Sequence, residues 1–161
     1  MTIVANSTDL KELKKELYEH GPEMEPGLVD ILETEWTAQD FTKAYKVRQR
    51  LNMVLREFMQ ECDLLVTPTI GVPPFETGRI TPGKIEGRRV APEHWQSFTY
   101  QLNLTGQPAA TVPASYTDDD RPVGLQIVGR PLEDETVLRA SAAYEEANPW
   151  NARLPQLADR A

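Results

Sequence analysis

The chain has 161 residues, 40% of them apolar, which is enough to build a core and fits one domain or part of a larger one. Its formal net charge of −8 argues against nucleic acid, whose phosphates need a basic face, and against an anionic membrane surface. No stretch approaches the ~20 consecutive apolar residues of a membrane span.

The opening MTIVANSTDL lacks the basic region and apolar core of a signal peptide and reads as the natural start of a reading frame. Ser7, Thr8 or Asp9 can cap a first helix carrying Leu10, Leu13 and Leu17 at helical spacing. Gly21-Pro22 ends it. A second helix starts near Pro26, with Leu28, Ile31 and Leu32 on one face. Thr37, with Asp40 three residues on, is close to a capping box for a long third helix. Phe41, Tyr45, Leu51, Leu55 and Phe58 form its apolar stripe, and Lys43, Lys46, Arg48, Arg50 and Arg56 belong mostly to its wet side. The pattern changes at Asp63, where LLVTP reads as a buried strand stopped by proline. The Gly- and Pro-rich run from Thr67 to Pro92 is long for a structureless connection, so it is either a functional loop or packs on something. Pro92 can open a helix bearing Trp95, Phe98 and Leu102, which Gly106 closes. Ala109–Val112 is a short strand that Pro113 ends. TDDDR (Thr117–Arg121) is a polar turn and Val123–Val128 a second strand, so that the two can form a hairpin. Asp134 caps a last helix that stops before Pro149.

Residues that could carry chemistry are scarce. Ser7, Ser97, Ser115 and Ser141 lie outside any G-x-S-x-G elbow. His20 and His94 have no second ligand at metal spacing, and the nucleotide-binding glycine motifs are absent, so no metal and no cofactor are expected. The single cysteine, Cys62, allows no intrachain disulfide, which suits the cytoplasm. It sits at a helix C-terminus beside Asp63, where dipole and carboxylate both disfavour a thiolate, so it reads as a structural thiol. Glu61 and Asp63 read as solvated, and Asp118–Asp120 as a turn rather than a calcium loop. His94 belongs at the surface, whereas Trp95 can pack and also form a pocket wall.

Three blocks in order carry a family resemblance: DLLVTPT (Asp63–Thr69), FTYQLNLTGQPAATVPAS (Phe98–Ser115) and RPVGLQIVGRPLEDETVLRASAAYEEANPW (Arg121–Trp150). They resemble the C-terminal part of the amidase-signature enzymes, and the helix from Asp40 to Glu61 fits the one preceding the family's D-x-L-L-x-T-P strand. The likeness covers roughly residues 21–154. It implies an α/β chain, the C-terminal part of a mixed-sheet fold flanked by helices. The organisation is then a lead-in and helix over 1–20, the amidase-signature region over 21–154 and a tail over 155–161. The family cleaves amide C–N bonds with a Ser–Ser–Lys triad and a backbone oxyanion hole. This sequence has no Ser-Ser or Gly-Gly pair and no lysine that matches the family base, so no catalytic residue is assigned. The resemblance makes Trp95 and Gln96 the substrate-pocket candidates. Gln96 stands where ammonia-delivering relatives often hold an aspartate, a departure that favours the broad amide hydrolases. The chain then completes the sheet and pocket of an amidase and is inactive alone. Its partners are a small amide substrate, once joined to the catalytic half, and a second copy of itself through an uncovered strand. The alternative is a truncated, non-catalytic remnant or binding protein.

Overall fold

In the computed structural model, residues 10–24, 26–79, 81–91 and 94–150 are described. Ser7, Thr8, Asp9 and Pro92, named above as helix starters, lie outside them. The chain divides between Met53 and Val54 into two compact units.

In the first unit, α1 (Leu10–His20) gives way to a 3₁₀ turn at Gly21–Glu23, where Pro22 supplies the fixed φ and no amide donor. α2 (Pro26–Glu33) lies beside α1, and its Leu32 is buried. α3 (Ala38–Phe58), whose last residues from Val54 belong to the second unit, begins with the capping box read from the sequence. The Asp40 amide donates to Thr37 Oγ1 at 3.2 Å and the Thr37 amide to Asp40 Oδ2 at 3.1 Å, so two helix-end donors are satisfied reciprocally. The stripe of α3 is less covered than its spacing implies. Phe41, Leu51 and Leu55 are half-buried, but Tyr45 is 59% and Phe58 50% exposed.

The second unit is built on a three-stranded sheet of order β1–β5–β4, with β1 (Leu64–Pro68), β4 (Ala109–Tyr116) and β5 (Pro122–Gly129). Both pairings are antiparallel: Leu65 faces Val128 and Ala109 faces Val128 from the other side. The connection from Thr67 is not structureless. It contains a two-residue hairpin, β2 (Lys84–Ile85) and β3 (Arg88–Arg89), turned by Glu86 and Gly87 at positive φ. A 3₁₀ turn (His94–Gln96) leads into α4 (Ser97–Thr105), and Gly106 closes it at φ 71° with its amide on Leu102 O. Then come β4, the TDDDR turn, β5 and α5 (Asp134–Ala147).

Three sequence expectations shift. β4 runs through Pro113 to Tyr116: Pro113 stands opposite Gly124, whose carbonyl accepts from Thr69 on the β1 side, so the ladder asks no donor of the proline, and the register shifts only after it, between Pro113 and Ser115. Asp134 is the first residue of α5 rather than its cap; Glu133 holds the cap position with no side-chain cap bond. β1 is not buried throughout: it is a sheet edge among the described residues, and Val66 is 52% exposed.

The core gathers on the central strand. Gln126, Ile127, Val128 and Gly129 are buried in succession, so both faces of β5 are covered there. Val137 of α5 is buried over Gly129, whose missing side chain lets helix and strand approach. On the opposite face the Gln126 amide donates to Thr67 Oγ1 at 3.0 Å and to Phe98 O at 3.1 Å, tying β5 to β1 and to α4. Arg130 joins the end of α3 to the start of β1, with Nε on Met59 O at 2.8 Å and Nη2 on Asp63 Oδ1 at 3.0 Å.

Candidate functional site

Where β1 ends, the chain folds back over the start of β5 and encloses a cleft of about 540 Å³. Its floor is Pro122–Gly124 and Pro68. One wall is the run Ile70–Phe75; the other is Trp95 and Phe98, at the entrance to α4. Backbone bonds pin both walls: Thr69 N–H donates to Gly124 O at 3.0 Å, and Gly71 N–H to Trp95 O at 3.2 Å. Gly124 makes the first approach possible, since a Cβ there would stand 2.7 Å from Thr69 Oγ1. The Arg121 guanidinium donates to Pro74 O and pairs with Asp119 at 2.6 Å, so the polar turn braces the loop from behind. That pairing, with the bond from Thr117, holds the Asp119 carboxyl below the usual aspartate value of 3.8. Phe75 and Trp95 meet edge to face, ring centroids 5.3 Å apart and planes at 88°.

Among the described residues the lining carries no charged side chain and no serine, histidine or cysteine. Such a surface can hold an apolar group and exclude water; it supplies no nucleophile and no proton carrier. Trp95 lines it. Gln96 is half-buried one residue on, outside the lining, with its backbone carbonyl accepting from Thr99 Oγ1 at 3.0 Å. His94 is exposed. Cys62 is half-buried, its sulfur 3.7 Å from Phe58 O and 3.8 Å from Met59 Sδ, contacts of a packed thiol. Sequence reasoning did not assign Phe75 or the Ile70–Pro74 wall. The visible signal was Pro68, Pro73 and Pro74 within a loop too long to be idle.

Fold and cleft together define a helix-flanked α/β unit with an apolar cleft that, among the described residues, brings no reacting group with it. The chain belongs to the amidase family, whose family model matches residues 23–138. It is 41% identical over 100 residues to an acylamidase of Rhodococcus erythropolis, a match covering 61% of this chain and 21% of that protein. It is 34% identical over 123 residues to a fatty acid amide hydrolase of Medicago truncatula, covering 74% and 20%. Among solved structures it superposes on a bacterial aryl acylamidase of the amidase-signature family with a TM-score of 0.78 at 29% identity, covering 89% of this chain and 31% of that one. The chain thus spans between a fifth and a third of the length of these relatives. No described helix is long and apolar enough to cross a membrane.

Proposed function

We propose that this chain is the substrate-facing C-terminal portion of a cytoplasmic amide hydrolase, with its nucleophile, relay serine and lysine base located outside these 161 residues. One observation carries the reading: an amidase match over residues 23–138 in a sequence that contains no adjacent serines. In amide hydrolysis by a serine nucleophile, the hydroxyl adds to the carbonyl, the C–N bond breaks and the amine leaves with a proton; water then releases the acid. The chain's own part precedes that chemistry. The cleft desolvates the apolar portion of the amide and fixes its position against the attacking group, which is where an intramolecular advantage arises. Trp95 acts through its ring, and Gln96 offers a side-chain amide at the neighbouring position. The open β1 edge is where further polypeptide pairs: the rest of an amidase fold, or a second copy when that is lacking.

The chain alone is expected to release no amine from simple aryl or aliphatic amides, and to gain turnover when co-produced with the remainder of the Rhodococcus erythropolis acylamidase. Turnover by the chain alone that tracks it through purification and resists serine-directed inhibitors would overturn the reading. Turnover in neither preparation, with a stable complex between the two polypeptides, identifies a non-catalytic remnant.

A further inference from the structure

The geometry points to a neutral aryl group as the occupant of the cleft between Ile70–Phe75 and Trp95, a substrate class more specific than amides in general. That the aryl group belongs to an amide rests on the function proposed above; the recognition itself rests on the cleft alone.

Size comes first. An apolar cavity of about 150 Å³ takes a benzene ring, and this cleft of about 540 Å³ leaves room for a ring and its amide substituent. Shape comes second. Phe75 and Trp95 stand at 88° to one another, so together they form a right-angled corner of π-systems. A flat ring seated in that corner stacks along the face of one neighbour and turns its own edge to the face of the other, both favourable quadrupole arrangements. Phe98 is a third ring on the same wall. A saturated ring of equal size buries the same area and gains none of these contacts. Charge comes third. Among the described residues the lining holds no cationic or anionic side chain, so there a benzoate or anilinium would meet no counter-charge and lose its hydration. Finally, the corner is held in place. Trp95 O is bonded to Gly71 N–H, and Pro74, next to Phe75, is tied by Arg121. The backbone that carries the two rings is therefore fixed, and their edge-to-face contact sets the corner before a ligand enters, which lowers the ordering entropy lost on binding.

The test is a binding measurement on the 161-residue chain with acetanilide, N-cyclohexylacetamide and sodium benzoate, by calorimetry and by saturation-transfer NMR. Acetanilide should bind roughly three- to tenfold more tightly than the cyclohexyl amide, and benzoate should not bind. Saturation should reach the aryl protons before the acetyl methyl. Phe75→Leu, which keeps an apolar side chain and removes one ring of the corner, should narrow the preference while Trp95 and Phe98 retain part of it. Leu138→Ala, on the exposed face of α5, should leave the preference intact. Equal or reversed affinities, benzoate binding as well as acetanilide, or saturation strongest at the methyl would each overturn the inference, whether or not Phe75→Leu folds. None of these outcomes bears on hydrolysis, so the proposed function stands or falls by its own assay.

Discussion

Gly129 is the residue at which β5 and α5 come closest. A Cβ added there would stand 2.6 Å from Val137 Cγ2 and 3.3 Å from Glu133 O, and Val137, at 3% exposure, has nowhere to go. Gly129→Ala should therefore destabilise the chain by about 1–3 kcal/mol, read from urea denaturation. Because the clash is with one methyl, the double variant Gly129→Ala with Val137→Ala should cost less than the two single changes summed. Full additivity would show that the helix simply shifts. The letters of G-L-Q-x-V-G are plain in the sequence, but their reasons are not. Neither Gly124 nor Gly129 adopts positive φ; each is small because another element occupies the space, Thr69 after β1 for Gly124 and Val137 of α5 for Gly129. Gln126, between them, is a buried polar residue made tolerable by partners on β1 and α4, which no local pattern announces.

At the scale of elements, the start of α3 has a pH signature. The hydroxyl and amide of Thr37, assisted by Lys43, hold the Asp40 carboxyl below its ordinary value of 3.8. A group whose folded pKa is depressed stabilises the folded state above its unfolded pKa, and that contribution is lost as pH falls through the folded value. Helicity should thus decline on acidification below about pH 4, and Asp40→Asn should start lower at neutral pH and decline less. A far-UV dichroism titration of both proteins checks this; parallel curves would remove the carboxylate from the cap. This element was fully legible, since Thr37 and Asp40 are three residues apart and cap locally. So were Gly106 as a helix stop and the β4–β5 hairpin, whose signals are all short-range. β2 and β3 escaped because two-residue strands leave no period to read. The reach of β4 past Pro113 escaped because pairing is fixed by the partner strand, not by the proline.

For the molecule as a whole, family and fold class could be read from three sequence blocks, whereas the cleft could not: its walls are brought together by backbone bonds between Thr69 and Gly124 and between Gly71 and Trp95. Among the described residues the second unit presents β1 as a sheet edge with Val66 at 52% exposure, and α3 presents Phe58 at 50%. An edge of this kind pairs with other chains unless something shields it. Light scattering on the isolated chain should show mass rising with concentration, and Val66→Lys should suppress the rise; a clean monomer at high concentration would refute edge pairing. The strand order also sets a sequence of events in time. β4 and β5 meet across a five-residue turn and can zip early, whereas Thr67 must find Gln126 across 59 residues. Closing that larger loop costs more chain entropy before any contact offsets it. The loop being closed is the one that walls the cleft, so the cleft should take shape after the β4–β5 hairpin as the chain folds and open before it as the chain unfolds.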